Sequence, residues 1–114
     1  MPGSVVAVTL IHGIAGRRQE LRDLMRRTED RVADEPGCRV YRFAASLEDP
    51  DEYVHVQEWV TESAFADHQR SAAFRGYQQE LFDLLARPSE MRVHRAPQTI
   101  VPEPSGPADP RTAD

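Results

Sequence analysis

Between Tyr53 and Leu85 the chain gathers most of the side chains that could do chemistry in a pocket: His55, Gln57, Trp59, Phe65, His68, Phe74, Tyr77 and Phe82. Tyr41 lies a short way upstream. A histidine with an ordinary pKa near ~6.5 exchanges protons at neutral pH. A tyrosine hydroxyl donates a hydrogen bond, and aromatic rings supply apolar walls. Each group also has a purely structural use. His68 either moves a proton or anchors its helix by bonding a backbone carbonyl. Trp59 serves a core, an interface or a pocket. Phe74, Tyr77 and Leu81 make a core stripe, and a core stripe can also line a cavity.

Residue type excludes other chemistries. All fourteen basic residues are arginine, so no lysine is present to form a Schiff base. Cys38 is the single cysteine, which leaves neither an internal disulfide nor a thiolate metal cluster. His12, His55, His68 and His94 show no HxH or HExxH spacing, so a metal is not expected. GxGxxG, GxxxxGK[ST] and GxSxG are absent, which removes support for nucleotide, flavin and α/β-hydrolase readings. The formal charge is -5, and the arginines from Arg17 to Arg31 alternate with Glu20, Asp23, Glu29 and Asp30. That pattern is a solvated helix face, and nucleic acid is not an expected partner. No apolar run approaches the ~20 residues of a membrane span. The expectation is a soluble, cytoplasmic protein.

The elements that must position these groups follow from periodicity. Val5–His12 is a nearly continuous β-branched and aliphatic run, as in a strand buried on both faces. From Arg17 to about Asp34, Leu21, Leu24, Met25, Thr28 and Val32 recur at helical spacing, and Pro36-Gly37 ends the pattern. Cys38–Ala45 reads as a second strand, with Arg39, Tyr41 and Phe43 on one face and Cys38, Val40 and Arg42 on the other. The Glu48–Asp51 cluster turns it into a third strand, Tyr53–Val60. There Tyr53, His55, Gln57 and Trp59 point one way and Val54, Val56 and Glu58 the other. Thr61 or Ser63 can cap a short helix carrying Phe65 and His68, and Ser71 can cap the next. The stripe of that helix runs through Phe74, Tyr77, Leu81, Leu84 and Leu85, before Pro88. Met91–Arg95 forms a short fourth strand.

The order strand, helix, strand, strand, helix pair, strand is the split βαβ or ferredoxin-like arrangement, an α+β fold. It gives a four-stranded antiparallel sheet with helices on one face and the first and third strands in the middle. Residues 1–96 form this domain. Residues 97–114 hold five prolines and form a mostly disordered tail, in which only Gln98–Val101 has strand character and can reach onto a partner. The uncovered sheet face, lined by Tyr, Phe, Trp or Val, needs a cover. A second copy packed sheet to sheet supplies it, giving a homodimeric α/β barrel with His55 in the pocket or at the interface.

Pro36-Gly37-Cys38, Tyr41, Asp49-Pro50, Tyr53, Gln57-Glu58-Trp59, Ala64, His68, Ser71 and Phe74 occur in that order and spacing. Over about residues 4 to 95 the chain resembles the antibiotic biosynthesis monooxygenase (ABM) domain family of dimeric α/β barrels. It departs from the family in having Gln57 where Glu is usual, with Glu58 facing the other way, and Ala73 where many members carry His. The haem-degrading branch uses Trp at His68, a haem-ligating His at Gln78 and an Asn near Thr9. This chain has none of these and no Asn at all, so haem is not expected.

The resemblance implies oxygenation of a small aromatic, quinol or polyketide-like substrate by O2 as co-substrate, with neither metal nor flavin nor other cofactor. The substrate is itself the reductant, because a phenol or anthrone anion can pass an electron to O2. The protein must then accept a proton and hold the anion in an apolar pocket. On this reading His68 and Tyr77 are the catalytic pair, and Tyr41, His55, Gln57, Trp59, Phe65, Phe74 and Phe82 surround the substrate. The fold also hosts lyases, isomerases and cyclases, and a non-catalytic dimeric binding protein would need the same cavity.

Overall fold

The computed structural model describes residues 3–107. Seven elements follow one another: β1 (Ser4–His12), α1 (Arg18–Val32), β2 (Cys38–Ala45), β3 (Glu52–Trp59), α2 (Glu62–Arg70), α3 (Ala72–Phe82) and β4 (Glu90–Ala96). The sheet order is β2-β3-β1-β4 and every pairing is antiparallel, so β1 and β3 are central. This is the expected ferredoxin-like sheet.

Alternation along β1 and β3 separates two faces. Val5, Ala7, Thr9 and Ile11 face the helices, as do Tyr53, His55, Gln57 and Trp59, and all eight are buried. They meet Leu21, Leu24, Met25 and Val32 of α1 and Phe74, Tyr77 and Leu81 of α3 in two adjoining apolar clusters. The uncovered face has aliphatic side chains at its centre, flanked by Arg42, Glu58, Glu90, Arg92 and His94. Val6, Val8 and Leu10 of β1 stand beside Val54 and Val56 of β3. His55 and Trp59 therefore lie under the helices and not on the uncovered face.

Two local features differ from the periodicity reading. First, the β2–β3 register shifts between Cys38 and Val40. The bulge puts Cys38 beside the cluster of Tyr41 and Trp59, so Cys38 shares their face instead of opposing it. Arg39, the extra residue, reaches Ser4 Oγ, Glu58 Oε2 and Thr99 Oγ1 at 3.0, 3.1 and 2.7 Å. Second, α3 stops at Phe82 although the apolar stripe continues to Leu85. Leu84 O accepts from Ile14 N at 2.9 Å, and Ala86 N donates to His12 O at 2.8 Å. The backbone at the end of β1 thus takes the hydrogen bonds that another helical turn would have used. Residues 97–107 contain neither helix nor strand. Within the chain, Thr99 donates to Glu58. The expected disorder of the remaining tail falls on residues 108–114, outside the described residues.

Candidate active site

Helix capping sets the position of the site. The Thr61 hydroxyl accepts from Ala64 N at 3.0 Å and starts α2, and Ser71 Oγ accepts from Phe74 N at 3.1 Å and starts α3. The sharp break at Ser71 lets α2 present His68 and α3 present Phe74 and Tyr77 to the same face of the sheet.

Beneath them the rings form one contiguous group. His55 stacks on Phe43 at 4.1 Å between ring centroids and meets the edge of Tyr41 at 4.3 Å. Tyr41 also lies edge-on to His68 at 5.2 Å. His68 stacks on Trp59 at 4.7 Å and lies 5.1 Å from Phe74. His68 Nδ1 is 2.9 Å from Glu35 Oε1, in the turn after α1.

Buried polar atoms gather between the helix-facing side of the sheet and α2. Among the described residues, Thr9 Oγ1, Tyr41 OH, Tyr53 OH, His55 Nε2, Gln57 Nε2 and His68 Nε2 have no hydrogen-bond partner within the protein. Thr9 stands opposite His55 across β1 and β3, and Tyr41 opposite Gln57 across β2 and β3. A buried polar group left without a partner costs ~1–3 kcal/mol, so a gathering of them marks a place built for water or a ligand. Gln57 is partly satisfied, because its Oε1 accepts from Trp59 Nε1 at 2.8 Å.

A cleft of about 60 Å³ opens into this group, lined by Thr9, His55, Phe74, Tyr77, Gln78, Leu81, Ser89 and Met91. Of the residues expected around a substrate, His55, Phe74 and Tyr77 line it. Tyr41, Gln57, Trp59 and His68 lie deeper in the same ring cluster. Phe65 packs at the edge of the Trp59 cluster. Phe82 points outward and is 79% exposed, since α3 turns that side away from the sheet. Ser89 and Met91 had no signal of their own, and Thr9 and Gln78 entered only as positions where the haem-degrading branch carries Asn and His. Glu35 reads only as part of a helix stop.

Burial sets the electrostatics. It lowers the His55 pKa to about 3, helped by repulsion from His68. It also lowers the His68 pKa, against the opposing pull of the Glu35 hydrogen bond and charge. The His68–Glu35 contact is therefore a neutral imidazole donating to a carboxylate rather than a full ion pair. Burial raises the Tyr77 and Tyr41 hydroxyls, with the nearby Tyr77 adding to the effect on Tyr41, so both remain protonated donors at neutral pH. Among the described residues no group of three or more His, Cys, Asp or Glu is placed to hold a metal ion.

A four-stranded antiparallel sheet with its helices on one face and a small cleft beneath the helix pair defines a ferredoxin-like α+β domain. The antibiotic biosynthesis monooxygenase family model matches residues 4–80, and the chain belongs to that family. No curated protein sequence matches the chain. Solved structures share the fold. A conserved protein from Methanosarcina mazei Go1 superposes with a TM-score of 0.78 at 24% identity, over 82% of this chain and 92% of that one. A putative antibiotic biosynthesis monooxygenase from Nitrosomonas europaea gives 0.78 at 17%, over 84% and 92%. SnoaB from Streptomyces nogalater, a cofactor-independent oxygenase, gives 0.74 at 22%, over 86% and 97%.

Proposed function

We propose that the protein is a cofactor-independent monooxygenase acting on a small electron-rich aromatic such as a phenol or quinol. The observation that carries the reading is the cleft itself: Thr9 and His55, each with a buried unpartnered polar atom, face Phe74 and Tyr77 across it. Its 60 Å³ is well below the ~300–1,000 Å³ of pockets for drug-sized ligands and below the ~150 Å³ of a cavity that holds benzene, so even a single ring must widen the cleft as it enters.

In this scheme the substrate hydroxyl donates to His55 Nε2, and the Tyr77 hydroxyl donates to the oxygen of the developing anion. The anion reduces O2. One oxygen atom enters the ring and the other leaves as water, with both electrons and both hydrogens coming from the substrate: a phenol plus O2 gives a quinone plus water. His55 is too weak a base to keep the proton. His68 lies behind the cleft against Tyr41, with Glu35 beside it to favour its charged form, so we assign it as the group that finally holds the proton.

Oxygen uptake in chelator-treated buffer with a panel of phenols and quinols tests this. The expected result is uptake of one O2 per quinone formed, falling about 100-fold in His55→Leu, the usual size of one acid–base contribution. Binding of the same compounds with no uptake above buffer would instead make the protein a binding module.

A further inference from the structure

His68 is the most enclosed titratable group in the ring cluster, with a side chain 0% exposed against 19% for Glu35. Thirty-three residues separate the two in sequence, and 2.9 Å separates Nδ1 from Oε1. The turn that carries Glu35 is held firmly. Its backbone N–H donates to Val32 O, its carbonyl accepts from Cys38 N, and Gly37 O accepts from Val60 N at 2.8 Å. The imidazole is held just as firmly by Trp59, Tyr41 and Phe74.

An ionised carboxylate only accepts hydrogen bonds, so the ring nitrogen facing it must carry the proton. A neutral imidazole has one N–H, which leaves the other nitrogen with a bare lone pair. That other nitrogen, Nε2, is buried and has no partner in the protein. We infer that Glu35 is a positioning residue: its carboxylate holds His68 in the Nδ1–H tautomer, which makes Nε2 the proton acceptor inside the ring cluster. When Nε2 takes a proton, the resulting imidazolium already sits against a negative charge. The tautomer follows from the contact alone, and only the source of the proton rests on the proposed reaction.

The titratable groups packed around His68 are Glu35 from the turn after α1, Tyr41 from β2 and His55 from β3, whereas α3 contributes the uncharged Phe74. Only Glu35 favours the imidazolium.

Nitrogen-15 NMR of the full chain labelled at histidine reads the tautomer directly. At pH 7 the expected spectrum of His68 has a protonated Nδ1 and a bare Nε2. Glu35→Gln keeps an oxygen to accept from Nδ1 but removes the charge, so the His68 pKa should fall further, by about one unit or more. Glu35→Asp should recover part of that shift. In the oxygen assay Glu35→Gln should lower kcat about tenfold and leave KM little changed, which loss of packing alone would not separate. A proton on Nε2 in the unsubstituted protein, or an unmoved pKa in Glu35→Gln, overturns the inference. The expected tautomer together with no oxygen uptake by any phenol overturns the proposed reaction and leaves the Glu35 assignment standing.

Discussion

At the scale of single residues, the two buried histidines tie stability to pH. The ordinary histidine pKa is 6.5 and the folded state holds His55 at about 3. Above pH 6.5 His55 is neutral in both the folded and unfolded states and costs nothing. Between 6.5 and 3 the unfolded chain binds a proton that the folded chain refuses, so stability falls with pH by ~1.4 kcal/mol per unit. His68 is lowered too and acts in the same direction. Urea unfolding at pH 7.5 and 5.5 should therefore show a loss on the order of 1–3 kcal/mol at the lower pH. His55→Phe, placed beside Phe43, should remove roughly half of it, and an unchanged loss would mean that His55 burial is not the cause. The residue types behind this behaviour are plain in the sequence. The pairing of His68 with Glu35 is not, because no local pattern links positions that only the folding of β2, β3 and α2 brings together.

Among the elements, caps and turns carry the precision. Thr61→Ala and Ser71→Ala each remove the acceptor that starts a helix and should each cost ~1 kcal/mol, measured by chemical denaturation. Gly37 has a φ of +81°, and a Cβ there would lie 2.6 Å from Ala64 Cβ and 3.0 Å from Val60 Cγ2. Gly37→Ala should cost more than either cap, ~2 kcal/mol or above, from left-handed backbone strain together with the clash. It should also disturb the Glu35–His68 contact, since Glu35 sits two residues away in the same turn. Strand and helix order was legible from periodicity, and so was the Ser71 cap, while the choice of Thr61 over Ser63 was not. The bulge at Arg39 and the early end of α3 were not, because each is set by hydrogen bonds to distant backbone.

At the scale of the whole molecule, one sheet face carries the helices of the described residues and the other centres on valines and a leucine ringed by charged residues. Val8 is 37% and Leu10 38% exposed, next to the half-buried Val6, Val54 and Val56. An aliphatic patch of this kind on central strands is expected to pair with a second copy. Sedimentation equilibrium should give a dimer, and Val8→Glu with Leu10→Glu should give a folded monomer, because symmetry brings the new charges close together in a dry interface. A monomer for the unsubstituted protein would refute the sheet-to-sheet arrangement.

The sequence by itself determined the element order and the ferredoxin-like topology. These follow from local periodicity, turn residues and spacing, which any chain segment displays along its own length. The tertiary structure alone decided which rings touch. It placed His55 and Tyr77 at the cleft, set His68 behind them on Glu35, and turned Phe82 away to solvent. It also gathered the unpartnered polar atoms of Thr9, Tyr41, Tyr53, His55 and Gln57 on one side of the sheet, with that of His68 on α2. Those outcomes depend on register between strands and on burial, and both come into being only when distant segments pack.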